Sequence, residues 1–295
     1  MTVTLPPAVL ERYRRFSRFN SPYPAHDDGC AIDLYPDGGT GVSPVAGVVR
    51  ETRTVGCPDR PYAADEDHLI VVELDDEWCE RTGASPGTVA RILHVVPEVS
   101  PGDRVAVGDA LGPLTRSGFF GRWVDDHVHL GFRAPGENAL RASGSLPVDA
   151  DVRVEPVPWD GTGDVVERGP THVVLDAPVH PEPGRRFAAL ASDGGVPLDG
   201  GLAHYAGGGA FDALADGTAV SLWGTRVGVA RGRGVAWEPV DLLANGERVV
   251  GLSLFAARGG GLGAKVVCPD GEFERGETVS LAFAPSDDPI RLGVG

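Results

Sequence analysis

Two histidines one residue apart, His127 and His129, are the most chemically informative pair in this sequence. In an extended strand successive side chains point to opposite faces, so these two imidazoles project from the same face. Two histidines on one face can both bind a metal, or one can bind it while its neighbour transfers a proton. Three further candidate groups precede the pair in the chain: His26, Asp33 and His94.

These residues are of the types that build a hydrolytic zinc site. Such sites commonly use three protein ligands and keep a fourth position for water, whose pKa the ion lowers toward about 7. The chain offers His26, Asp33 and His129 for coordination, and His94 and His127 lie nearby if the strands align. Asp33 stands in an apolar run, where an unpaired carboxylate would be costly to bury and a metal would neutralise it.

The candidate residues belong to a series of segments that occur in a recognisable order. The segments are Ala25–Leu34 followed by Ser43–Val49, Ile92–Val95, Val99–Gly112, Ser117-Gly118 and His127–Arg133. Together they resemble the lysostaphin/LytM-type zinc endopeptidases. That family has a His, a short gap and Gly-Ile-Asp, then a Gly-Val-Val strand, a Tyr-x-His-Leu strand, a V-x-x-G-D segment, a Thr-Gly turn and His-Leu-His-Phe-Glu. The resemblance covers about residues 22–135, under half of the chain.

The resemblance implies roles and a fold. His26, Asp33 and His129 would bind Zn²⁺, and His127 and His94 would orient and deprotonate the water or stabilise the oxyanion. The family fold is a compact, mostly antiparallel β-structure, the duplicated hybrid motif. Its usual substrates are peptide bonds in glycine-rich or peptidoglycan cross-link peptides.

The first half of the motif departs from the family in its spacing. The family places its first histidine four residues before the aspartate, whereas His26 and Asp33 are seven apart. Either residues are inserted and His26 loops back, or Asp28 or Cys30 takes the position. Cys30 would face away from Asp33 in a regular strand, so the sequence favours His26. The family's Phe-Glu is also replaced here, by Leu130-Gly131.

The composition restricts the class of partner. A formal net charge of −16 argues against binding nucleic acid or an anionic membrane by charge attraction. Of the 26 basic residues only Lys265 is a lysine. This acidic, lysine-poor balance predicts a halophile protein that stays soluble in concentrated salt, although a GC-rich genome would also replace Lys by Arg. The four cysteines match no zinc-knuckle or disulfide pattern, which favours reduced thiols. They are Cys30, Cys57, Cys79 and Cys268.

The beginning of the chain predicts no export and no membrane anchor. Arg14-Arg15 is not followed by an apolar segment, and no stretch is apolar for long enough to span a bilayer. The sequence therefore predicts a cytoplasmic protein. Residues 5–19 read as a short amphipathic helix.

The 42 glycines and 25 prolines separate short runs rich in Val, Leu and Ala, which indicates β-structure. We predict an all-β chain with four parts: an N-terminal lead-in helix at 1–21, a lysostaphin-like domain at 22–145, a linker at 146–160 and a β-sandwich-like accessory domain at 161–295.

Three functions of different class fit these observations. The first is a zinc metalloendopeptidase acting on a peptide or peptide-like substrate. The second is a non-catalytic metal-binding or interaction module on the same β-scaffold. The third is a metal-dependent hydrolase of a non-peptidoglycan amide, because a fold does not determine a substrate. The sequence identifies no protein partner for the C-terminal domain.

Overall fold

The computed structural model of the protein describes residues 1–269 and 271–292, and its regular structure there is almost entirely β. The described helices are short: α1 at Pro7–Leu10, α2 at Pro24–Asp27 and α3 at Asp76–Thr82. The predicted all-β fold class is therefore confirmed. None of these helices is long and apolar enough to cross a bilayer.

The strands in the first half of the chain are labelled in chain order. They are β1 Val3–Leu5, β2 Arg15–Ser17, β3 Ala31–Tyr35, β4 Thr40–Val42, β5 Gly47–Gly56, β6 Glu66–Leu74, β7 Val89–Leu93, β8 Arg104–Val105, β9 Ala110–Pro113, β10 Val128–Arg133 and β11 Val148–Ala150.

The strands of the second half continue that order. They are β12 Val154–Val157, β13 Thr162–Arg168, β14 His172–Leu175, β15 Phe187–Leu190, β16 Leu198–Leu202, β17 Gly207–Ala210, β18 Ala219–Leu222, β19 Thr225–Arg231, β20 Gly234–Trp237, β21 Val240–Ala244, β22 Glu247–Val249, β23 Gly251–Leu254, β24 Ala256–Ala257, β25 Lys265–Val267 and β26 Thr278–Pro285.

The chain divides into two compact units. The first comprises residues 1–16 and 28–152, and the second comprises residues 17–27 and 153–295. The change near residue 152 falls inside the stretch that the sequence predicts as a linker. The assignment of 17–27 to the second unit has no counterpart in the predicted domain boundaries.

The first unit is organised by antiparallel pairing in the order β3-β10-β7-β6-β5-β8. On β7 the residues alternate: Ala90 and Ile92 are completely buried, whereas Val89, Arg91 and Leu93 are only partly buried. This alternation means that one face of the sheet packs on the core, and the other can carry polar groups.

The lead-in helix predicted at the N-terminus is wrong for most of its length, because α1 spans only four residues and is flanked by strands. Pro7 occupies the start of α1, which suits a proline. Just before it, β1 pairs in parallel with β11, and Val3 lies opposite Val148. This non-local pairing overrides a local helical pattern.

Helix α3 was not predicted, although its ends carry ordinary helix signals. Asp76 and Glu77 lie in its first turn and Arg81 in its last, which complements the helix dipole. Gly83 ends the helix in the left-handed conformation with a φ of 74°.

The second unit contains a sheet of twelve strands, each pairing antiparallel with its neighbours. Its order is β18-β19-β20-β17-β16-β23-β25-β14-β13-β26-β21-β22. A core of Val, Leu and Ala side chains from these strands packs with Trp237 and Phe273. In the same unit β12 pairs in parallel with β15, which in turn pairs with β24.

Candidate functional site

The pairing of β3 with β10 brings Asp33 directly opposite His129. Nδ1 of His129 lies 2.9 Å from Oδ1 of Asp33, and Nε2 of His127 lies 3.5 Å from the same oxygen. The side chains of Asp33 and His127 are buried, whereas that of His129 is 18% exposed. Two imidazoles and one carboxylate therefore converge on one face of the sheet, which solvent reaches at His129.

His127 lies just before β10, in a position that leaves one ring nitrogen directed at Asp33. Its Nδ1 is 2.9 Å from the carbonyl oxygen of Asp125. A carbonyl can only accept a hydrogen bond, so Nδ1 carries the proton and Nε2 has the lone pair. The ring packs against Phe120 and Tyr35, with centroid distances of 4.6 and 5.2 Å.

His94 follows the last residue of β7 and adopts a φ of 69°, which is unusual for a residue other than glycine. Its ring lies edge-on to that of His127, with centroids 5.0 Å apart, and 5.7 Å from the ring of His129. His94 is thus the third histidine of this cluster, contributed by the strand on the other side of β10.

The carboxylate that holds His94 is Asp67, a residue that sequence reasoning missed. Asp67 is completely buried, and its Oδ2 lies 2.6 Å from Nδ1 of His94. The same oxygen accepts a hydrogen bond from the Ser117 hydroxyl at 2.8 Å, and Oδ1 accepts the backbone N–H groups of His68 and His94. One signal was available: Asp67 stands at the start of a buried strand, where an unpaired acid would be costly.

The protonation state of Asp67 follows from these contacts. Burial by itself would raise the pKa of Asp67, but the charge of His94 and the hydrogen bonds from His94, the His68 N–H and Ser117 outweigh it. The pKa therefore lies below the ordinary value of 3.8. An ionised Asp67 accepts the Nδ1–H of His94, so that the lone pair of His94 is on Nε2.

His26 lies in α2 and is almost completely buried, with 2% of its surface exposed. Its Nδ1 donates to the carbonyl oxygen of Arg18 at 2.7 Å, which makes Nε2 the nitrogen that can bind a metal. The segment around Arg18 is itself held in the second unit: the carboxylate of Asp199 accepts the Ser17 hydroxyl and the backbone N–H groups of Arg18 and Phe19.

Among the described residues, the group that could hold a metal ion consists of His26, Asp33 and His129. One ligand atom from each lies within 4.8 Å of the other two. These are the three residues that the sequence offers for coordination. Asp28 and Cys30, the alternatives for the first position, are not members of this group.

The loop beside the histidines is organised by Arg116. Its guanidinium donates to the carbonyl oxygens of Gly121, Arg122 and Val124 and forms an ion pair with Asp126. It also lies over the ring of Phe120, 4.8 Å from the centroid. Phe120 in turn lies 5.1 Å from the ring of His94, so this loop forms an aromatic wall of the cluster.

Four other histidines are not members of this cluster. They are His68, His172, His180 and His204. His180 is buried, and its Nε2 lies 3.0 Å from the carbonyl oxygen of Ala257. His204 is completely buried in the second unit, where burial lowers its pKa to about 3.

Comparison with known families accounts for nearly the whole chain. Residues 4–150 match the family model for the N-terminal domain of DUF8155, a domain of unknown function, and residues 155–284 match the model for its C-terminal domain. The chain belongs to the DUF8155 family. The histidine cluster and Asp67 all fall within the DUF8155 N-terminal domain. No curated protein matches the sequence.

Two solved structures are distantly similar to this DUF8155 protein. The structure of LytU is 20% identical, has a TM-score of 0.29, and the match covers 45% of this chain and 81% of that one. The solution structure of lysostaphin is 14% identical, has a TM-score of 0.27, and the match covers 84% of this chain and 89% of that one. Both TM-scores are low, so neither likeness bears on the chemistry of the site.

Proposed function

We propose that this protein is a zinc-dependent hydrolase, and specifically a metalloendopeptidase that cleaves peptide bonds with an activated water. The observation that carries the proposal is the convergence of His26, Asp33 and His129, whose ligand atoms lie within 4.8 Å of one another. Two more imidazoles, those of His94 and His127, lie beside them.

The donor set fits zinc. Two imidazole nitrogens and one carboxylate oxygen are ligands that Zn²⁺ favours in hydrolytic sites. His26 and Asp33 are buried, and a buried carboxylate requires a positive partner. The hydrogen bond from His26 to a backbone carbonyl is the kind of outer contact that orients a metal-binding histidine. When bound, the ion would polarise a carbonyl and activate a water near neutral pH.

The remaining chemistry belongs to His94 and His127. Asp67 accepts the Nδ1–H of His94, so Nε2 of His94 can take a proton and the buried carboxylate would stabilise the imidazolium that results. At Nδ1 of His127 the partner is the backbone carbonyl oxygen of Asp125, which is not ionised. We therefore assign the general base to His94, and to His127 the orientation of the water or the stabilisation of the oxyanion.

The choice of a peptide substrate is supported by the motif series of residues 22–135, which resembles zinc endopeptidases. The aromatic wall formed by Phe119 and Phe120 beside His94 would pack against an apolar part of a substrate. A non-peptidoglycan amide is the alternative substrate, and a module without catalysis is the alternative function.

The first test is the zinc content of the purified full chain, measured by elemental analysis in high-salt buffer. We expect about one zinc per chain for wild type, and loss of zinc in His26→Ala, Asp33→Asn and His129→Ala. The matched control is His172→Ala, a histidine of β14 outside the cluster, which should keep its zinc. Retention of zinc by His26→Ala alone would mean that another residue is the first ligand. Absence of zinc from reconstituted wild type would contradict the proposal of a zinc-dependent hydrolase.

The second test is a cleavage screen of the zinc-loaded protein against quenched peptide libraries and a panel of small amides and esters. Cleavage of internal peptide bonds supports the endopeptidase, and cleavage of small amides alone supports the alternative substrate. A zinc-loaded protein that cleaves none of them would leave a metal-binding module.

A further inference from the structure

Arg91, in the middle of β7, carries a guanidinium group that is paired with no other described residue. Within residues 1–269 and 271–292 it makes no hydrogen bond and no ion pair, and its Nε is buried and unsatisfied. Other arginines of the same unit are paired: Arg104 with Asp75, and Arg116 with Asp126. An unpaired, partly buried cation is unexpected in a chain with a net charge of −16.

The strand register places Arg91 on the face of the sheet that carries the candidate site. Arg91 lies directly opposite Gly131 of β10, and His129 lies opposite Leu93. Directly opposed residues share a face, as do residues two apart on a strand, so Arg91 and His129 are diagonal neighbours on one face. Because Gly131 has no side chain, β10 presents nothing directly across from Arg91.

The surroundings of Arg91 are positive. Arg133, its other diagonal neighbour on β10, is almost completely buried, and its guanidinium donates to Ser145 Oγ and to the carbonyl oxygens of Arg141 and Ala142. Burial first, and the charge of Arg133 second, lower the pKa of Arg91 to about 10, so the group stays charged at neutral pH. No carboxylate of the described residues lies within ion-pair distance of either guanidinium group, and such a pair favours an anion.

We propose that Arg91 binds a carboxylate group of the substrate beside the metal site. This inference rests on the proposed hydrolase and narrows its substrate class. Diagonal neighbours in a sheet are about 7–8 Å apart, and an extended residue spans about 3.3–3.6 Å. The carboxylate therefore belongs one or two residues from the bond that is cleaved. It is either the C-terminal carboxylate of a short peptide or the side chain of an acidic residue.

Direct binding tests this assignment without requiring turnover. The probes are N-acetyl-glycylalanine, its C-terminal amide, and N-acetyl-glycylglutamate amide, titrated calorimetrically into the full chain. Wild type, Arg91→Gln and the control Arg104→Gln are compared, each after metal depletion and after zinc loading. Arg104 is a suitable control because it lies in the same unit and is already paired with Asp75.

We expect at least one carboxylate probe to bind wild type about tenfold or more tightly than the neutral amide, with or without zinc. A preference for the first probe identifies a terminal carboxylate, and a preference for the third identifies an acidic side chain. Arg91→Gln should remove the preference and leave the affinity for the neutral amide unchanged, whereas Arg104→Gln should keep it.

Equal affinity for charged and neutral probes would overturn the assignment, as would a preference that survives in Arg91→Gln or no binding of any probe. A preference that appears only with zinc and persists in Arg91→Gln would mean that the carboxylate binds the metal. Because the metal-depleted arm does not use the zinc site, failure of the zinc proposal would be seen separately, in the elemental analysis.

Discussion

Buried histidines of the two units, His94 and His127 in the first and His180 in the second, differ in their contacts. In the first unit, buried side chains contact each other: His127 contacts Asp33, and His94 contacts Asp67. In the second unit, His180 contacts the backbone, through Ala257 O and the Glu182 N–H. The comparison teaches that burial of a histidine alone does not indicate a site.

The physical basis of this difference is the number of ring nitrogens that the backbone already engages. Both ring nitrogens of His180 are engaged by the backbone, so the ring links a loop to the strand beside it and serves stability. His94 and His127 each have Nδ1 held by a carboxylate or a carbonyl oxygen, so that the lone pair of the neutral ring is on Nε2. Such an arrangement fixes a tautomer and is typical of groups that bind metals or transfer protons.

The largest expected effect is a loss of kcat in a variant of His127 that the matching variant of His180 should not show. If the proposed function holds, His127→Gln should lower kcat on the peptide found in the screen by about 10²-fold or more, because a group acting on the proton or oxyanion is removed. Zinc content should not change. His180→Gln should leave kcat unchanged and lower the free energy of unfolding by about 1–3 kcal/mol, since it disturbs two buried backbone contacts.

Kinetics, zinc analysis and urea unfolding of both variants provide the measurement. A loss of kcat in His180→Gln at full zinc content would contradict the assignment of His180 to stability alone. Unchanged kcat in His127→Gln would remove His127 from the catalytic residues.

A smaller effect is expected for Asp67→Asn, which tests positioning rather than contact with substrate. The asparagine amide would donate to His94 Nδ1 and shift the imidazole proton to Nε2. We expect kcat to fall by about 10–100-fold, with zinc content and KM nearly unchanged. Long-range ¹H–¹⁵N spectra of the imidazoles report the tautomer directly, even before a substrate is known.

The control for this prediction is Ser117→Ala, which removes one donor to Asp67 but keeps the carboxylate. It should preserve the Nδ1–H tautomer of His94 and most of the activity. If Asp67→Asn kept the wild-type tautomer, Asp67 would be a structural acid comparable to Asp199 of the second unit.

The smallest effect concerns the pH dependence of stability in the second unit. Burial lowers the pKa of His204 to about 3, so its contribution to stability is present above pH 6.5 and is lost as the pH falls toward 3. Burial raises the pKa of Asp199 to about 6, against the hydrogen bonds that lower it, so its contribution is present below pH 3.8 and is lost as the pH rises through 6.

The two groups therefore oppose each other between about pH 4 and 6. Asp199→Asn should steepen the loss of stability on acidification, and His204→Gln should flatten it, each by roughly 1–3 kcal/mol across that range. Urea unfolding followed by tryptophan fluorescence from pH 4 to 7 measures the slopes. Identical slopes in wild type and both variants would show that neither group titrates in this range on unfolding.

The sequence by itself determined the fold class, and it supplied the residues that we propose as metal ligands. Short apolar runs between glycines and prolines predicted β-structure, which the described residues confirm. The two-residue period of a strand placed His127 and His129 on one face, and the cost of burying Asp33 made it a candidate ligand. The fold class could be predicted because it depends on composition and spacing within a few residues, and the ligand set stays a prediction for the same local chemistry.

Only the tertiary structure revealed what surrounds those residues. Asp67 meets His94, 27 residues later, and Ser117, 50 residues later. Arg91 is placed beside His129 by a strand register that no local pattern specifies. Pairing partners and unpaired charges depend on how distant segments pack, because a side chain's hydrogen-bond partner is set by position in space and not by position in the chain.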